Sequence, residues 1–198
     1  MHIEKVWVNE LFINTPFIIV SGPAGGGKTT LIRNIASACS KLCLLTKYTT
    51  RTPRITETLD EDYFFVSKQI FENTVNENTS IAMAFRYNAY YGLTNNEVDK
   101  AIQGNRIPIA VLHVNLAILF KQVYHNTLTL FVCTKDINEI YKRLDARNDQ
   151  FAEIEMRKVL VAEELKLSKG FDYLFDEFTS KNDIVDLIHN HIMDKERF

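Results

Sequence analysis

The feature that most constrains this chain is Gly22-Pro23-Ala24-Gly25-Gly26-Gly27-Lys28-Thr29, a full match to the pattern G-x4-G-K-S/T. Glycines at this spacing let the backbone wrap so closely that successive N–H groups converge on one anion. The flanks support that reading. Phe17-Ile18-Ile19-Val20 is a continuous apolar run, as expected of a strand buried on both faces of a parallel sheet, and Thr29 to Ser40 has helical composition. A strand, a glycine turn and a helix N-terminus together form a phosphate cradle. Within it Gly22, Ala24, Gly25, Gly26, Gly27, Lys28, Thr29 and Thr30 are the candidate ATP contacts. Lys28 reaches the β- and γ-phosphates, and the Thr29 hydroxyl suits Mg²⁺.

The rest of the chain reads as alternating strands and helices. Strands are expected at Leu42–Thr46, Tyr63–Val66, Ile107–Val114, Leu128–Cys133 and Phe171–Phe175. Helices are expected after Ser67, after the capping-box spacing Thr94-Asn95-Asn96-Glu97 with Gly104 as stop, from Asp136 to Leu144, from Ala152 to Ser168 and from Asp183 to Ile192. Residues 1–15 read as an extension, and Tyr48 to Asp62 as a polar loop or edge element. This alternation predicts an α/β fold with helices on both faces of a mainly parallel sheet.

Composition narrows the function. The 198 residues fit one domain, and their 46% apolar content is enough for a sizeable core. A formal net charge of −2 gives no basic surplus for nucleic acid or an anionic membrane, and no stretch is apolar enough to span a bilayer. Cys39, Cys43 and Cys133 form neither CxxC nor a His/Cys metal spacing, and they read as buried thiols in a reducing compartment. The expectation is a cytoplasmic protein, monomer or homodimer, acting on small molecules without a nucleic-acid or membrane partner.

Three further segments carry chemistry. Tyr48-Thr49-Thr50-Arg51-Thr52-Pro53-Arg54 is followed by Asp62-Tyr63-Phe64-Phe65-Val66-Ser67 and then by Tyr90-Tyr91-Gly92. In this order and spacing they resemble the guanylate kinase family, from about Phe17 to Tyr173. The resemblance implies the P-loop NTPase three-layer fold with a central mainly parallel sheet, a small acceptor-binding subdomain and a helical lid. It also implies one guanylate-kinase-like domain over 1–198, with its core at about 16–46 and 105–198, the acceptor region at about 47–96 and the lid at about 143–160. The implied activity is ATP-dependent transfer of the γ-phosphoryl group to a small phosphorylated acceptor, GMP giving GDP. Arg51, Arg54, Tyr63 and Tyr91 would grip the acceptor phosphate, since guanidinium forks suit phosphate oxygens. Arg143, Arg147 and Arg157 would close over the transferring group.

The departures from the family cluster at the acceptor's base. Ala82 stands at the place of a guanine-reading glutamate, Leu93 at that of a small hydroxyl residue and Lys47 at that of a serine. Leu112-His113-Val114-Asn115 replaces a strand motif with two acidic residues. Lys47 adds a positive charge beside the acceptor site. Tyr48, Thr50, Arg51 and Val114-Asn115 are also similar to the ribose bisphosphate phosphokinases of phosphonate breakdown, a resemblance that implies ribose 1,5-bisphosphate as the alternative acceptor. A non-catalytic guanylate-kinase-like binding module is a third reading, which the complete phosphate loop disfavours. No N-K-x-D element supports a GTPase switch.

Overall fold

The computed structural model describes residues 3–54, 57, 63–146, 151–176 and 179–195. Its centre is a five-stranded, all-parallel sheet in the order β10-β9-β2-β8-β3, built from β2 (Phe17–Ser21), β3 (Leu42–Leu44), β8 (Ile107–Val111), β9 (Thr127–Val132) and β10 (Tyr173–Phe175). Every residue of β2 is buried, and alternation along it divides the core in two. Ile18 and Val20 face α1 (Lys28–Ala38) and α7 (Lys181–Lys195), packing with Ile32, Ile35, Ile184 and Ile188. Phe17 and Ile19 face α4 (Val114–Val123), packing with Leu116, Ala117 and Phe120.

Beyond α4 lies a second five-stranded sheet, β1-β6-β7-β4-β5, formed by β1 (Ile3–Val6), β4 (Lys47–Thr49), β5 (Tyr63–Phe65), β6 (Ser80–Arg86) and β7 (Ala89–Thr94). It is antiparallel except for the β4–β5 pair. Ile81, Ala82, Ala84 and Leu93 of this sheet share one core with α4, so α4 packs against both sheets. A third cluster, Ile140, Leu144, Ile154 and Val161, joins α5 (Ile137–Asp145) to α6 (Phe151–Lys166) and packs Ala24 of the glycine loop against the pair.

Several expectations are corrected. Residues 1–15 are not a plain extension, because β1 pairs with β6, Ile3 opposite Phe85, and Phe12 is buried. Tyr48 and Thr49, expected in a polar loop or edge element, belong to β4, an inner strand between β7 and β5. The strand expected through Val114 ends at Val111, His113 takes the N-cap position and Val114 opens α4. Helix α2 (Lys68–Thr74) follows Ser67, whose hydroxyl accepts from Ile70 N, and α5 follows Asp136, whose carboxylate accepts from Asn138 N. Thr94 precedes α3 (Asn95–Gln103), but its side chain makes no capping bond, so the capping box is not formed. Among the described residues no helix is long and apolar enough to cross a membrane.

Candidate active site

The glycine loop leaves the C-terminal edge of β2 and enters α1. Gly22 has φ 134°, and a Cβ there would stand 2.1 Å from the Val132 carbonyl oxygen, so only glycine fits. Gly27, the N-cap of α1, has φ 89° and open space around it, so conformation and not volume selects it. Lys28 Nζ donates 2.7 Å bonds to the carbonyls of Gly22 and Pro23. The ammonium therefore lies across the mouth of the loop. Thr29 and Thr30, in the first turn of α1, line the same cavity.

That cavity, of about 430 Å³, also takes in Arg51, Arg54, Tyr63 and Tyr91 from the second sheet and its loop, with Arg143 and Arg157 from α5 and α6. Arg51 is 2.6 Å from Glu57 through Nη2, and its guanidinium lies over the Tyr63 and Phe65 rings. Arg54 Nη1 reaches the same carboxylate oxygen at 3.3 Å, and Arg54 N donates to the other at 2.8 Å. One carboxylate thus spaces two forks. Burial pushes the Glu57 carboxyl up, but the bonds from Arg51 and Arg54 outweigh it and hold its pKa below the usual value. Tyr63 and Tyr91 meet edge-to-face with centroids 6.1 Å apart. Burial, and next the neighbouring Tyr63, raise the pKa of Tyr91, so its hydroxyl stays a hydrogen-bond donor.

On the lid side, Arg143 is held by Glu139 at 3.1 Å and donates at 3.4 Å to the Gly25 carbonyl, tying α5 to the loop. Arg157 pairs with Glu153 one turn earlier, and its guanidinium lies 4.2 Å from the Tyr87 ring centroid. Both Arg157 and Tyr87 are buried, where such a cation–π contact is worth about 2 kcal/mol. Arg147 falls outside the described residues. Gly26 packs against Val132 and Pro23 and is not part of the cavity wall.

Lys47 lines the cavity, but its ammonium donates 2.6 Å to the Val111 carbonyl and sits 4.7 Å from the Tyr63 centroid. It is thus anchored to the parallel sheet. His113 lines the cavity too, edge-on to Tyr91 at 5.2 Å and Tyr87 at 6.0 Å. Burial, then Arg86 and Lys47, drive its pKa well below the ordinary value, so it is a neutral imidazole. Asn115, expected beside it at the base, is exposed on α4 outside the cavity.

Two wall residues escaped the sequence reading. Tyr87 sits in the β6–β7 turn with φ 51° beside Asn88 with φ 57°, and burial, then Glu164, raise its pKa to about 12. The turn-favouring Asn88 was the signal that could have placed it. Glu164 lies two turns after Arg157 on α6, so helical spacing could have put both on one face. It is 3.5 Å from Arg86 Nη1, which is also 3.5 Å from Glu4 of β1. Burial raises the Glu164 pKa against the pull of Lys28, Arg86 and Arg157.

One cavity therefore brings together the glycine loop, the Arg51–Arg54 pair with Tyr63 and Tyr91, and the helix-borne Arg143 and Arg157. The family model for guanylate kinase matches residues 14–194. The chain belongs to the guanylate kinase family. It is 30% identical over 158 residues to the guanylate kinase of Syntrophus aciditrophicus, covering 80% of this chain and 76% of that one. It is 32% identical over 158 residues to a guanylate kinase of Helicobacter pylori, covering 79% and 77%. The crystal structure of the Anaplasma phagocytophilum guanylate kinase superposes with a TM-score of 0.66 at 18% identity, covering 96% of this chain and 86% of that one, a likeness of fold. Family membership favours guanylate kinase over the sugar-phosphate kinase and binding-module readings, and makes the chain a phosphotransferase of the nucleoside monophosphate kinase type.

Proposed function

We propose that this chain transfers the γ-phosphoryl group of Mg²⁺-ATP to the phosphate of GMP, giving ADP and GDP. The observation that carries the reading is the single cavity in which Lys28 and Thr29 face Arg51, Arg54, Tyr63 and Tyr91. Two anion sites across one cavity are what transfer between two phosphates requires, because the reaction gains most from positioning and charge stabilisation. The loop amides and Lys28 hold the donor phosphates. Arg51 and Arg54, spaced by Glu57, hold the acceptor phosphate with the Tyr63 and Tyr91 hydroxyls. Arg143 and Arg157 lie where charge builds on the phosphoryl oxygens, and an acceptor oxygen attacks in line with no covalent enzyme intermediate.

No cluster of three His, Cys, Asp or Glu side chains able to hold a metal occurs among the described residues. That fits Mg²⁺, which binds through the nucleotide's phosphates, waters and few protein oxygens. Thr29 would supply the protein oxygen, and bound Mg²⁺ would neutralise charge on the β- and γ-phosphates. In this reading residues of about 47–96 form the acceptor-binding region and about 143–160 the lid.

The test is a coupled assay of ADP release with Mg²⁺-ATP, with and without GMP. The reading expects release that depends on GMP and saturates with it. Release that ignores GMP, or ATP binding with no release, contradicts it.

A further inference from the structure

The cavity face of the second sheet can be followed one residue pair at a time. Tyr91 lies opposite Ala84 and Thr49, and the next residue on the same face of β7, Leu93, lies opposite Ala82. Two residues of strand advance about 7 Å, roughly the span of a ribose. With the acceptor phosphate at Tyr91, the base therefore falls against Leu93 and Ala82.

Val111, Leu112 and Leu116 also line the cavity and supply the rest of the proposed base wall. Its one polar side chain among the described residues is Lys47, and an ammonium only donates. Of the backbone carbonyls there, Val111 accepts from Lys47 at 2.6 Å and Leu112 from Ser21 Oγ at 2.8 Å. Among the described residues the single carboxylate lining the cavity is Glu164. It belongs to α6, pairs with Arg86 and lies in the field of Lys28. His113 packs edge-on against Tyr91 and Tyr87.

Guanine differs from hypoxanthine only by its 2-amino group, a pure hydrogen-bond donor. A wall of methyl groups and one ammonium offers no side-chain acceptor for it. The C6 carbonyl, shared by both bases, suits the cation. We propose that this site does not read the 2-amino group, and that its acceptor class is the 6-oxopurine nucleoside monophosphates, GMP and IMP alike, with Ala82 as the position that leaves the base unread. This rests on the kinase reading above.

The experiment compares kcat/KM for GMP and IMP at saturating Mg²⁺-ATP, for the wild type and for Ala82→Glu. A site built to bond a donor rejects the analogue lacking it by about 10⁴-fold or more. Here the wild-type ratio of GMP to IMP is expected below about tenfold. Ala82→Glu, which puts an acceptor on the wall, is expected to raise that ratio at least about tenfold. A wild-type ratio of tenfold or more overturns the inference while leaving the kinase reading intact. A folded Ala82→Glu enzyme with an unchanged ratio overturns the placement of the base against this wall. If Ala82→Glu does not fold, the wild-type ratio alone decides. No turnover on either nucleotide instead overturns the kinase reading, and the inference with it.

Discussion

At the scale of single residues, the acceptor site works by division of labour. Glu57 pairs with both guanidiniums and holds them side by side, which in the proposed function presents them to the acceptor phosphate. Removing one fork should therefore weaken acceptor binding and leave the donor alone. Arg51→Ala is expected to raise KM for GMP by about 10- to 100-fold, the worth of one charge-assisted contact, with KM for ATP unchanged in steady-state kinetics. His113 makes a separate prediction. Its folded pKa is depressed well below 6.5, so as pH falls through 6.5 the unfolded chain takes up a proton that the folded chain refuses. Stability must then fall as pH drops below about 6.5. Replacement by Asn should remove that slope, read from urea midpoints between pH 7.5 and 5. The carboxylate Glu57 acts in a lower window, since its depressed pKa costs stability only as pH falls below the usual carboxylate value of 4.5.

At the scale of elements, the glycine loop separates two reasons for the same residue. Gly22→Ala drives a Cβ into the Val132 carbonyl and should cost about 3 kcal/mol or more. Gly27→Ala meets nothing and should cost about 1 kcal/mol, the left-handed backbone penalty alone. Chemical denaturation of the two variants checks the difference. The same loop shows why part of the molecule was legible in the sequence. The glycine loop, Arg51, Arg54, Tyr63 and Tyr91 are side chains and turns whose chemistry is local, and the structure brings them, except Pro23 and Gly26 of the loop, to one cavity. Of the second sheet only β5, expected at Tyr63–Val66, was legible. Strand β6, Ser-Ile-Ala-Met-Ala-Phe-Arg, is rich in Ala and Met, which carry no strand signal, and it is set by pairing with β1 and β7. Helix α4 was read partly as strand because Val114 continues the apolar run of β8 without an intervening Gly or Pro. The base wall depended on both elements. The Ala82, Leu93 and Lys47 substitutions were visible in the sequence, while the neighbours that give them meaning, Val111 and Leu116, were not.

At the scale of the whole molecule, the acceptor sheet and the lid helix meet at one buried group. Arg86 of β6 lies between Glu4 of β1 and Glu164 of α6, while Arg157 of α6 covers Tyr87 at the tip of the same hairpin. The N-terminal strand, the acceptor sheet and the lid are thus tied through one cation. Arg86→Ala would leave two buried carboxylates facing each other, and urea denaturation is expected to show a loss of about 3 kcal/mol. The central claim concerns what these parts do together: they carry a phosphoryl group from one nucleotide to another within one cavity. The most direct measurement supplies ATP labelled at the γ-phosphate together with unlabelled GMP and follows the label. The account predicts that it appears in the β-phosphate of GDP in step with ADP. Label found only in inorganic phosphate, or remaining in ATP, would contradict it.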